Sequence, residues 1–241
     1  MKKIIVDVGL AGQEALCREL EKDRLDIAGV CVAPDVKNYE DLCNTVAAGV
    51  KQVKDVPVYK GAQRPLLNRE FAFGRSCPST DYSGQFAPQH RSNFMIECAE
   101  KGDVEIICLG ALSNVALAVM KNEAAMKKVK RIYVAGGALL GYRSTTPTSH
   151  ENILADAEAA RAVFKSGIPV TMIPDSAAQD IFAAAFDVAA GAQRETWQAY
   201  LSVDTSLGFT RGQTVVDLVG RNPIDGRTVE GEKQTVVISL K

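Results

Sequence analysis

The sequence predicts an α/β protein: a doubly wound, mostly parallel central sheet with helices on both faces. Three observations carry that prediction. Short Val- and Ile-rich runs alternate with helical patterns from residue 2 to residue 174. Those runs are apolar on both faces, as strands buried within a parallel sheet are. The 241 residues, 46% of them hydrophobic, suffice to cover such a sheet with a sizeable core. Residues 1–241 are accordingly read as one domain with right-handed crossovers.

The elements follow in order. "KIIVDV" (3–8) is a strand and leads into a helical pattern over 12–22. "LDIAGVCVA" (25–33) precedes a helix over 38–51, and "VPVYKGA" (56–62) is the third strand-like run. Residues 66–92 are rich in Gly, Pro, Ser and aromatics without a clean period. A loop that long in a compact domain is functional or disordered. A helix over 90–101 then precedes "VEIICLG" (104–110), a helix over 113–128 precedes "RIYVAGG" (131–137), and a helix over 155–166 precedes "PVTMIP" (169–174). Ser113 and Asp156 stand where an N-cap accepts an orphan N–H. Gly167 and Pro169 form a stop signal. After residue 200 the runs "YLSVDTS", "TVVDL" and "QTVVISL" predict antiparallel strands or a mixed-sheet edge.

The net charge of −1 and the lack of a Lys/Arg stripe with interleaved aromatics argue against nucleic-acid binding. Lys127, Lys128, Lys130 and Arg131 are cations closing a helix. The six cysteines form no CxxC pair and mostly fall in apolar runs, where cysteine acts as a small hydrophobe. A reducing cytoplasm is the expected setting. The opening "MKKIIVDVGL" has too short an apolar run for a secretory signal, and no segment approaches a membrane span.

In open parallel sheets, ligands bind outside the carboxyl ends of the strands. Asp7, Glu14, Asp35, Glu151, Asp175 and Asp180 all follow or end strand-like runs, or lie in the loops beyond them. Carboxylates joined by a backbone carbonyl at such a rim suit a hard cation such as Ca²⁺ or Mg²⁺. No His/Cys set has zinc-ligand spacing, and no GxGxxG follows the first strand, so a dinucleotide fingerprint is not supported. Each acid also has a plainer reading, as a cap or a first-turn residue favoured by the helix dipole. Ser113 can be only a cap, and His150 only a loop residue.

Together the pieces resemble the inosine-uridine-preferring nucleoside hydrolases. The matching blocks are "VPVYKGAQRPL", "VEIICLGALSNVALAVMKNEAAMKKVKRIYVAGGAL", "NILADAEAARAVFKSGIPVTMIP" and "LGFTRGQTVVD", in the family's order over about residues 2–220. The resemblance implies hydrolysis of the N-glycosidic bond of ribonucleosides through an oxocarbenium-like transition state. It also implies a Ca²⁺ that holds ribose hydroxyls and a water, a homo-oligomer, and a nucleoside or ribosyl ligand. Carried over by position, the family's first aspartate is Asp7. Its second, metal ligand and presumed base, falls on Gly9. The ribose-contacting third falls on Gln13 and the bidentate fourth on Glu14. Ser113 would offer a carbonyl to the metal. The ribose clamp becomes His150, Glu151 and Asn152, of which only Asn152 matches the family. The late His-Asp pair falls on Gln179 and Asp180.

The resemblance therefore assigns Asp7, Glu14 and Asp180 to catalysis. Gln13, Asn152, His150 and Glu151 go to substrate binding, and Glu14, Ser113 and Asp180 to the metal. The chain departs from the family at several of these positions and in the central loop "GRSCPSTDYSGQ", and two departures bear most on the chemistry. Gly9 removes a carboxylate from metal and water, and only Asp175–Ala178 stand where the family has a helical insertion walling the base side. Fewer charged ligands weaken Ca²⁺ binding, and loss of a general base costs roughly 10²- to 10⁴-fold in rate. The expectation is a Ca²⁺ site weakened or lost, with nucleoside hydrolysis weak or absent. What remains is a divergent enzyme using Asp7, Glu14 or His150, or else a non-catalytic ribosyl-ligand binder or assembly partner. "IFAAAFDVAAGA" and "WQAYL" are candidate interface strings as well as core ones.

Overall fold

The computed structural model describes residues 2–67, 76–139, 146–220 and 232–239. Parts of the sequence-predicted long loop, of the segment after "RIYVAGG" and of "GRNPIDGRTVEGEKQ" lie outside these residues.

The central sheet is formed by β1 (Lys3–Val8), β2 (Asp26–Val32), β3 (Val58–Tyr59), β4 (Val104–Leu109), β5 (Arg131–Ala135), β6 (Val170–Ile173), β7 (Glu195–Val203), β8 (Thr214–Asp217) and β9 (Gln234–Ser239). Their spatial order is β3-β2-β1-β4-β5-β6-β9-β7-β8. Pairing is parallel from β3 across to β9. β7 then runs antiparallel to β9, and β8 antiparallel to β7. The fold class is therefore the expected one, with the late runs as an antiparallel edge. β7 starts at Glu195, five residues before the predicted run, and so takes in Trp197.

Two apolar layers sandwich the sheet. On one side α1 (Gln13–Lys22), α2 (Tyr39–Val53) and α8 (Ile181–Ala189) pack Leu16, Leu42, Val46 and Phe186 against Ile4, Val6 and Val8. On the other side α3 (Arg91–Lys101), α4 (Ser113–Lys121), α5 (Glu123–Met126) and α7 (Ala157–Phe164) pack Met95, Val115, Met126 and Phe164 against Ile5, Ile106 and Ile132. The period-2 alternation of β1 divides its side chains between these layers. The short α6 (Glu151–Leu154) precedes α7.

Three boundaries depart from the sequence reading. The helix expected over 113–128 is two helices, because the Asn122 side chain accepts the Ala125 N–H at 3.0 Å and starts a new turn. The helix expected over 155–166 covers only Ala157–Phe164 and is capped by Asp156, as the sequence indicated. Ser113 is not a cap. It lies inside the first turn of α4, fully buried, and its Oγ donates instead to Asp156 Oδ2 at 2.5 Å.

Candidate functional site

β1 neighbours both β2 and β4, so the chain winds outward in opposite directions from this point, a switch where ligand crevices form. The exits of β1 and β4 approach closely there. A Cβ on Gly110 would lie 2.7 Å from the Gly9 backbone nitrogen. At the carboxyl ends of the strands opens a cavity of about 370 Å³. Ala11, Glu14, Ala15 and Arg18 line it from the first turn and α1. His150 lines it from the start of α6, and Asp175, Gln179, Asp180 and Phe182 from the β6–α8 connection and α8. Its size suits a small-molecule ligand.

The acidic rim is held by a cation from the chain itself. Arg18 donates from Nη2 to Asp180 Oδ2 at 2.5 Å and from Nη1 to Glu14 Oε1 at 3.2 Å. Asp180 Oδ1 also caps α8 by accepting the Ala183 N–H at 2.9 Å. The Glu14 side chain is 83% exposed and that of Asp180 41% exposed. Ser113, the third residue assigned to the metal, is buried within α4. This donor set does not fit a divalent ion. Two of its acids are already turned to a guanidinium, one of them projects into solvent, and among the described residues no three His, Cys, Asp or Glu side chains converge as metal ligands.

Asp7 is fully buried below the rim. Its Oδ1 accepts from Asn114 Nδ2 at 2.7 Å, while the same amide donates to the Val32 carbonyl at 3.0 Å and accepts the Ala62 N–H at 2.6 Å. Asn114 thus clamps the exits of β1, β2 and β3. Asp156, also fully buried, accepts from Ser113 Oγ, from the Leu66 N–H at 2.8 Å and from the Ala159 N–H at 3.1 Å. Burial pushes its carboxyl above the ordinary range, against the pull of those hydrogen bonds.

The remaining sequence-predicted residues divide. His150 lines the cavity with its ring edge toward Phe182, at a centroid separation of 6.5 Å. Its Nδ1 accepts the Asn152 N–H at 3.2 Å, so the neutral ring carries its proton on Nε2. Asn152 is buried and donates to the Ala135 carbonyl at 2.7 Å, fixing α6 to the end of β5. Gln13 turns away toward α2, where its amide donates to the Thr45 carbonyl at 2.9 Å. Glu151 opens α6 and is not among the cavity's lining residues. So Glu14, His150, Asp175 and Asp180 come together, and Asp7, Gln13, Ser113, Glu151 and Asn152 stand outside the cavity. Sequence reasoning missed Arg18 and Phe182. The i,i+4 spacing of Glu14 and Arg18 was a readable signal for half of the bridge; Asp180, 162 residues from Arg18, gave none.

A doubly wound sheet with an acid-rimmed crevice at its strand ends defines an open α/β protein with a crevice at its topological switch point, where such folds place their ligands. A model of the inosine-uridine preferring nucleoside hydrolases matches residues 6–197, and the chain belongs to that family. Pyrimidine-specific ribonucleoside hydrolase RihB of Escherichia coli is 29% identical over 185 residues, which cover 71% of this chain and 59% of that protein. The chain thus spans about three-fifths of the length of the curated relatives it matches. Among solved structures, a plant nucleoside hydrolase superposes with a TM-score of 0.78 at 19% identity, covering 100% of this chain and 95% of that one. An inosine-guanosine nucleoside hydrolase superposes at 0.79 and 18% identity, with the same coverage. At those identities the likeness is one of fold.

Proposed function

We propose that this chain binds a ribosyl compound, a nucleoside or a close relative of one, in the crevice between α1 and α8. It does not perform divalent-ion-dependent hydrolysis of the N-glycosidic bond. The observation that carries this reading is the Arg18 bridge: one guanidinium spans Glu14 and Asp180, two of the positions on which the family's metal-binding acids fall, the third being Gly9. A cavity of about 370 Å³ with polar groups on its rim supports a ligand of nucleoside size. The short β6–α8 connection, residues 174–180, supplies no helical wall against water.

A second reading is favoured by His150. Its ring lines the cavity and carries an Nε2–H, so the enzymatic alternative is a slow, metal-free attack by water in which that N–H donates a hydrogen bond to the departing base, keeps its own proton, and leaves the base to take up the proton released by the water. Calorimetric titration of chelator-stripped protein with inosine and uridine, alongside a reducing-sugar assay, separates the outcomes. Binding without sugar release is expected. Slow release indifferent to calcium favours the His150 reading, and brisk calcium-stimulated release sinks both. Homo-oligomerisation, implied by the family resemblance, is read from light scattering of the same sample.

A further inference from the structure

Gly9 lies buried at the carboxyl end of β1, two residues beyond Asp7. A Cβ added there would stand 2.0 Å from Asp35 Oδ2 and 2.7 Å from its Cγ. The space that a side chain at position 9 would enter is therefore filled by a carboxylate from the neighbouring strand. Asp35 Oδ2 accepts the Leu10 N–H at 2.7 Å, which fixes that carboxylate on the turn joining β1 to α1. Sheet register brings it there. Val8 pairs with Val32, the Ala33 N–H continues the ladder to the Val8 carbonyl at 2.8 Å, and Asp35 follows two residues later.

We infer that Asp35 supplies, from the end of β2, the carboxylate that Gly9 does not supply at the end of β1. Asp35 is not itself a lining residue of the crevice; its hydrogen bond to Leu10, the neighbour of the lining residue Ala11, puts it at the crevice edge, where it meets the hydroxyls of a ribosyl ligand that reaches past Ala11. Positions 9 and 35 are exclusive on this backbone: two acids would overlap sterically and repel as like charges. Gly9 is thus the condition for Asp35, which an isolated reading of the first strand takes for a plain loss. The ligand-binding half of this inference rests on the ribosyl-binding reading above; the exclusivity of the two positions does not.

The test uses the full chain and four variants: Gly9→Asp, Asp35→Ala, the double variant of those two, and Asp35→Asn. Thermal unfolding is measured on each, with calorimetric titration of inosine, uridine and D-ribose. Gly9→Asp alone should lower Tm by about 5 °C or more. The double variant should regain at least half of that loss, because removing the Asp35 carboxylate vacates the space. Asp35→Asn keeps an acceptor for the Leu10 N–H, so its Tm should stay within about 2 °C of the parent. Its affinity for the titrated ligands should still fall about tenfold or more, since a charge-assisted hydrogen bond is lost. A purely structural Asp35 would leave that affinity unchanged. The inference is overturned if Gly9→Asp is as stable as the parent, if the double variant is no more stable than Gly9→Asp, or if Asp35→Asn binds like the parent. Should the parent bind none of the three ligands, the ribosyl reading and the ligand-binding half fall together. The exclusivity of positions 9 and 35 is then decided by the stability cycle.

Discussion

At the residue scale, buried polar groups with several partners matter most. Asp156 joins α7, α4 and the segment entering at Leu66 through three accepted hydrogen bonds. Asp156→Ala removes an N-cap and strands the Leu66 N–H and the Ser113 hydroxyl, an expected cost of about 2–4 kcal/mol by urea unfolding. Glu158 shows how pH enters. Its burial raises the carboxyl, but the hydrogen bond and charge of Arg211 outweigh that and hold it below the ordinary range. A depressed folded value gives stability that is present above the unfolded pKa and lost as pH falls through the folded one. Asp156, raised by burial, works in the opposite sense, favouring the fold as it takes up a proton. Glu158→Gln should therefore flatten the loss of stability measured between about pH 5 and about pH 3. Cysteines follow the same physics: burial pushes the Cys43 thiol up to about 11 and Cys108 well above its ordinary value. Both should resist a thiol-specific dye at neutral pH until the protein is unfolded.

At the element scale, the alternation of buried runs and helices was legible because hydrophobic period is local. Its boundaries were less so. Asn122 splits one predicted helix in two through a side-chain bond that no apolar period encodes. Ser113, in a position that reads as a cap, serves Asp156 because α7 packs against α4. α1 and α8 are joined at the crevice by Arg18. These side chains are substantially exposed, so Arg18→Met should change stability by less than about 1 kcal/mol. It would leave Glu14 and Asp180 uncompensated at the rim, and the expected signature is a changed salt dependence of ligand binding with nearly unchanged Tm.

At the scale of the whole molecule, the nine-stranded sheet of the described residues brings acids from α1 and the β6–α8 connection onto one rim, while a chain-borne cation bridges two of them. Calcium added to chelator-stripped protein should therefore shift Tm by less than about 1 °C, whereas saturation of a site at a hundred times its Kd would add about 2.7 kcal/mol. Among the described residues no helix is long and apolar enough to cross a membrane. The sequence by itself determined the layered parallel sheet and the family, because both are written in neighbouring residues and their period. Only the tertiary structure decided where charge ends up. Arg18 meets an acid 162 residues away, and Asp35 enters the space beside Gly9 through the pairing of β1 with β2. Such meetings depend on which strand ends lie side by side, which the order of residues along the chain does not state.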